Sequence, residues 1–188
     1  NTCWGGVIGD DGLDGIQIGT ETAITESYTT FQKYVKELKN RGITLAVCSK
    51  NDFKNAQEGF SHPESILKLD DFTSFKANWS PKSQNILDIS QSLNIDVDSF
   101  VFIDDNPAER DLVLSQLSSV SVPDVGSDIV EFISHIDRNG FFEPISLDID
   151  DTHRNQYYKD NQKRSSDIAK FQSYDEFLIS LDMTAEIK

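Results

Sequence analysis

Two short, mainly apolar runs, Ile43 to Cys48 and Phe100 to Ile103, stand out from a chain in which apolar residues otherwise recur at helical spacing. Runs of that length bounded by polar turn signals predict buried strands, and the unbroken run from Phe100 to Ile103 is expected of a parallel strand covered on both faces. Ahead of the first run, Phe31, Val35 and Leu38 share one face of a helix that starts near Thr25 and stops at Asn40-Arg41-Gly42. After it the pattern predicts a short helix over 53–60 and a more polar strand over 72–76. A further helix, opened by Ser80-Pro81, carries Ile86, Ile89 and Leu93 on one face. Beyond the second run come a helix over 107–117, a short strand at 120–122 and a helix near 127–136. Asn106, Pro107 and Glu109 supply the start of the 107–117 helix as a cap, a first-turn proline and an Asn-x-x-Glu capping box. At the front, residues 5–20 hold glycine at five of their first eleven positions with short apolar pairs between, which predicts a small β-hairpin flap. Strands and helices alternating at this spacing indicate an α/β fold with a mainly parallel sheet flanked by helices.

The alternation ends near Gly140. Residues 148–170 are strongly polar and predict a helix packed along the domain, with a last short helix at Tyr174 to Leu181. Residues 1–140 therefore read as one core and 141–188 as its C-terminal helical extension. At 188 residues the chain has room for a single well-buried domain of this kind.

Composition narrows the partners. Seventeen basic against thirty-two acidic side chains leave a net charge of −15, which argues against general binding to nucleic acid or an anionic membrane. Two cysteines, Cys3 and Cys48, show neither a disulfide framework nor metal-ligand spacing, so a reducing cytoplasm is the expected compartment. Two clusters offset the acidity locally: Lys33, Lys36, Lys39 and Arg41, and Arg154, Lys159, Lys163 and Arg164. Each reads either as a solvated helix face or as a surface for an acidic partner.

The chemistry gathers where strands end. Asp104 and Asp105 lie at a strand-to-helix junction, where open α/β sheets build their sites. They read either as caps of a turn or helix or, being oxygen donors, as ligands of Mg²⁺. Ser49 and Asn51 follow the other apolar run, where exposed backbone N–H groups suit an anion, unless they merely cap the next helix. Lys82 sits in the first turn of its helix, where a cation opposes the helix dipole by roughly 0.3–1 kcal/mol unless an anion is close, so it is either solvated or paired. Cys3 stands among glycines that allow close approach, as a nucleophile needs, or is simply a small buried hydrophobe. Cys48 falls within an apolar strand and reads as structural.

Thr2, Ser49, Lys82 and Asp104-Asp105, in that order, resemble motifs one to four of the haloacid dehalogenase-like superfamily, which mostly transfers phosphoryl groups through an aspartyl-phosphate with Mg²⁺. Asn1 to Gly9, Leu45 to Asp52 and Val101 to Arg110 are similar to its FkbH-like branch. The resemblance implies a Rossmann-like, haloacid dehalogenase-type sheet. It also implies transfer of a glyceryl unit from 1,3-bisphosphoglycerate to an acyl carrier protein, on its phosphopantetheine arm, in polyketide biosynthesis. By that resemblance Asp104 binds Mg²⁺ with Asp105 in support, and Thr2, Ser49, Asn51 and Lys82 hold or position phosphate. Lys82 and Cys3 would be catalytic, Cys3 as the acyl-accepting thiol. The alternatives are a Mg²⁺-dependent small-molecule phosphatase of the same fold and a non-catalytic binding module. The family's first motif, Asp-x-Asp-x-Thr, would end at Thr2, which puts both of its aspartates, and a central strand, upstream of residue 1. The expectation is a longer polypeptide.

Overall fold

A computed structural model describes residues 2–143, 149–168, 170 and 180. It is a mixed α/β structure with a small parallel sheet and many helices. Its first element is a closed loop, which corrects the expected hairpin at 5–20. Gly5 and Gln17 exchange both backbone hydrogen bonds, at 3.1 and 2.9 Å, but this single antiparallel bridge has no further ladder. Between them lie a short helix α1 (Ile8–Asp11) and a 3₁₀ turn, Leu13–Gly15. The glycines that signal hairpin turns serve helix ends instead, Gly12 closing α1 at φ 69°. Nor is the loop a free flap. Trp4, Ile8, Ile16 and Ile18 are buried with Phe60 and Leu67 in one core cluster. Trp4 meets Phe60 edge-on at 4.9 Å, and it lies so close to Gly59 that a Cβ there would come within 2.5 Å of the indole.

Helix α2 (Ala23–Asn40) starts at Thr22, whose hydroxyl accepts from the Thr25 amide while the Thr25 hydroxyl accepts from the Thr22 amide. Phe31 and Leu38 are buried on its inner face, and Gly42, at φ 94°, takes the chain out of the helix. Strand β1 (Leu45–Ser49) then runs parallel to β2 (Phe72–Ala77), with α3 (Phe53–Gly59) in the crossover between them. The pairing runs from Leu45 opposite Phe72 to Ser49 opposite Ala77, so both strands end at the same edge. The buried strand expected at 43–48 is corrected. No residue of β1 is fully buried and Ala46 is exposed, because among the described residues β1 pairs with β2 alone.

Helix α4 (Lys82–Leu93) buries Ile86, Ile89 and Leu93 as their spacing predicts. The run from Phe100 to Ile103 is extended, yet among the described residues its only ladder contact is a parallel bridge from Val101 to Ser121, so the expected full strands at 100–103 and 120–122 shrink to one bridge. Phe102 and Val120 still bury against Ile86 and Val113, the latter on α5 (Pro107–Gln116). The helix expected near 127–136 divides into a 3₁₀ turn, Ile129–Glu131, and α6 (Phe132–Arg138), which pack on Phe31 of α2. Helix α7 (Ile149–Ile168) contacts α4 and β2. The expected helix at 174–181 lies outside the described residues apart from position 180. Among the described residues no helix is long and apolar enough to cross a membrane.

Candidate functional site

Three chain segments converge at the edge where β1 and β2 end. The first is Ser49 to Asp52. Asp52, not Ser49 or Asn51, caps α3, accepting from the amides of Lys54 and Asn55 at 3.0 and 3.5 Å. That leaves the Ser49 hydroxyl outside the cap, while the Asn51 side chain accepts from the neighbouring Asp52 amide at 2.8 Å. The amino-terminal loop reaches the same place, since a Cβ on Gly9 would lie 3.9 Å from Asn51 Oδ1 and 3.6 Å from Asn55 Nδ2.

The second segment is the turn from β2 into α4. Asn78 donates its amide to the Ser49 carbonyl at 3.1 Å, and its side chain exchanges two hydrogen bonds with buried Asn85, at 3.0 and 2.9 Å. These bonds fix where Lys82 begins its helix. Lys82 is paired rather than solvated: its ammonium bonds Asp104 Oδ2 and lies 5.8 Å from the centre of the Phe102 ring. The anion removes the cost of a cation at a helix N-terminus.

The third segment is Asp104 to Arg110. Asp104 is buried, and its Oδ1 accepts from the Asn106 amide at 2.9 Å. Asn106 caps α5 through the Ala108 amide at 3.0 Å. The expected Asn-x-x-Glu box is not made; Glu109 instead pairs with Lys50 at 2.6 Å, and its Oε2 is buried with no hydrogen-bond partner among the described residues. Thr2 donates its hydroxyl to Asp105 Oδ1 at 3.2 Å, bringing the two ends of the motif series together.

Both thiols are protonated at neutral pH. Burial pushes Cys3 up to about 11, with the Asp105 charge adding to it. The Cys3 carbonyl accepts from Gln32 Nε2 at 2.8 Å, and its side chain packs against the core cluster around Trp4. Cys48, raised to about 12 mainly by burial, lies within the fields of Lys82, Asp104, Glu109 and Lys50, which places those four charges around the end of β1.

The donor chemistry suits a hard cation held incompletely by protein. Asp104 and Asp105 offer only oxygen, and Glu109, at the same helix start, has its charge matched by Lys50. Among the described residues no set of three or more His, Cys, Asp or Glu side chains is arranged to hold a metal. Mg²⁺ tolerates that, since it commonly keeps waters and completes its shell with substrate phosphate oxygens.

Sequence reasoning missed Gln32 and Arg110, and read Glu109 only as part of a capping box. Each carried a signal: a polar residue on the apolar face of α2, an acid one turn after the acidic pair, and a second cation at a helix start. The basic cluster on α2 is largely spent internally. Lys36 and Lys39 bond Asp71 at 2.5 and 2.7 Å, and Arg41 donates to the Phe142 carbonyl at 2.8 Å.

No protein-family model matches the chain, and no curated protein sequence does. Among solved structures, it is similar to the N-terminal part of the protein BF1531 from Bacteroides fragilis, described as containing a phosphatase domain and complexed with Mg. The two share 48% identity over 78% of this chain, with a TM-score of 0.76, and the match covers 39% of the other chain.

Proposed function

We propose that this chain forms the phosphate- and Mg²⁺-binding part of a phosphatase of haloacid dehalogenase type. The observation that carries the reading is the ion pair of Lys82 with Asp104 at the strand edge, beside Asp105 and Thr2. Its support from likeness is the Mg-complexed phosphatase domain of the Bacteroides fragilis protein. Asp104 and Asp105 would hold the cation, which when bound supplies positive charge to a phosphoryl oxygen. Lys82 has three N–H donors and spends one on Asp104, so it can bond a phosphoryl oxygen without releasing the carboxylate. Ser49 and Asn51 stand on the same edge to receive the remaining oxygens, with Thr2 fixing Asp105.

The second reading is glyceryl transfer through a Cys3 thioester to an acyl carrier protein, the activity of the FkbH-like branch. Its favouring observation is Cys3 directly after Thr2. The phosphatase reading leads because the similar Mg-complexed protein is described as containing a phosphatase domain; the partly buried Cys3 thiol, pushed up to about 11 by burial, would first have to lose its proton. One experiment on the full-length protein separates them. Phosphate release from a phosphomonoester should require Mg²⁺ and fall by about 100- to 1,000-fold in kcat for Lys82→Met, the usual cost of removing one donor to developing negative charge. Release that persists unchanged in EDTA overturns the first reading. Incubation with 1,3-bisphosphoglycerate should leave a glyceryl-sized mass on wild type and none on Cys3→Ala if the second is correct. Carrier loading without that adduct overturns it.

A further inference from the structure

We propose that Arg110 is a positioning residue for the acidic pair, holding the Asp104-Asp105 backbone and thereby setting the site's affinity for a divalent cation; the proposal rests on the metal-dependent reading above. Arg110 is buried, and its Nη1 donates to the carbonyls of Asp104 at 2.9 Å and Asp105 at 3.2 Å. The same nitrogen reaches the Gly126 carbonyl at 3.2 Å, and Nη2 bonds Asp124 Oδ1 at 2.7 Å. Asp124 is itself fixed, by the Gly126 amide at 3.1 Å and by its carbonyl, which lies 2.8 Å from His135 Nδ1 of α6. The guanidinium thus joins the start of α5 to the loop before α6.

The two carbonyls it binds precede α5, where no intrahelical amide reaches them. Buried carbonyls need a partner, and here one guanidinium nitrogen, Nη1, serves consecutive peptide groups while Asp124 anchors the other prong of the planar fork. Fixing both peptide planes fixes both Cβ directions, and so where the two carboxylates point. The Asp104 side chain holds the turn beyond the pair through the Asn106 amide, but a carboxylate has no N–H to offer, so neither side chain can satisfy the two carbonyls.

An opposing effect has to be weighed. A cation behind the pair repels a metal ion, so its removal would tighten binding if repulsion dominated. The Asp124 carboxylate at 2.7 Å offsets part of that charge but is largely exposed, so a variant that keeps the charge is needed to tell the two effects apart. Arg110→Lys keeps the charge and loses the fork, so it isolates geometry from repulsion.

The test is calorimetric titration of the full-length protein with Mg²⁺, with no substrate present. Arg110→Lys and Arg110→Met should each weaken Mg²⁺ binding by about 10- to 100-fold, the usual loss when a group supporting metal ligands is removed. Val113→Ala, which opens a cavity in the α5 core beside Ile86, Phe102 and Val120, serves as the stability control and should leave the Mg²⁺ affinity unchanged. Unchanged or tighter binding in Arg110→Lys overturns the assignment, as does equal weakening in Val113→Ala. Wild-type protein that binds no Mg²⁺ overturns the metal-dependent reading and this assignment with it.

Discussion

Lys82 and Asp104 form the most consequential residue pair in the molecule, because each would be costly alone. Their side chains are 12% and 5% exposed, so removing either partner leaves a nearly buried charge without compensation. Lys82→Met should lower unfolding stability by about 3 kcal/mol, the low end for a broken buried pair. The double variant Lys82→Met with Asp104→Asn should recover most of that loss, since both charges go together. Urea unfolding of the two singles and the double measures it; additive losses would mean the pair is not coupled. Lys82 and the acidic pair were legible because each broke a local rule: a cation at a helix start, two acids at a strand end. Arg110 broke the same rule as Lys82, but its acceptors are backbone carbonyls and Asp124, which no spacing reveals. Gln32 binds the Ser65 hydroxyl and the amides of Ile66 and Leu67, contacts more than thirty residues away that exist only once α2 has docked.

At the scale of elements, helices were read well and sheet pairing poorly. The helix starts at Pro81 and Asn106 follow from local proline and capping chemistry, whereas the caps at Thr22 and Asp52 stand in place of the expected start near Thr25 and the Ser49 or Asn51 cap. Whether Phe100 to Ile103 finds a neighbour along its length is a long-range matter; its apolar side chains bury with α4 and α5 whether or not the backbone ladder extends. The loop at 5–20 misled for a similar reason: glycine marks any tight turn, and only the burial of Ile8 and Ile16 reveals helical turns in place of strands. The cap of α3 gives an element-scale test, since Asp52 alone satisfies its first amides. Asp52→Ala should cost about 1 kcal/mol, whereas Ser49→Ala should leave stability within about 0.5 kcal/mol of wild type. If Ser49→Ala costs as much as Asp52→Ala, then Ser49 belongs to the helix and not to the anion edge. Thermal unfolding of both variants decides it.

Across the whole molecule, the turn at Leu69–Asp71 joins elements that the sheet does not. Asp71 accepts from Lys36 and Lys39 of α2 and from the Lys68 amide, while Lys159 of α7 reaches the adjacent Asp70 carbonyl at 2.5 Å. Burial opposes ionisation of Asp71, but the two lysines and the amide prevail and bring its pKa from 3.8 to about 2. A carboxyl whose folded pKa is depressed stabilises the fold fully above the unfolded value and loses that contribution as pH falls through the folded one. After allowance for screening of the partly exposed lysines, the contribution is about 1–2 kcal/mol, present in full above about pH 5, mostly lost by about pH 2 and gone near pH 1. Acid also relieves the repulsion among the acidic groups behind a net charge of −15, which works in the opposite direction. Comparison with Asp71→Asn cancels that general effect, because both proteins share it. Wild type should exceed Asp71→Asn by the full amount at neutral pH, and urea unfolding across the acid range should find the gap closing as pH drops from about 5 to about 2. A gap that stays constant would mean that Asp71 ties α2 to the turn by shape and hydrogen bonding, with its charge contributing nothing.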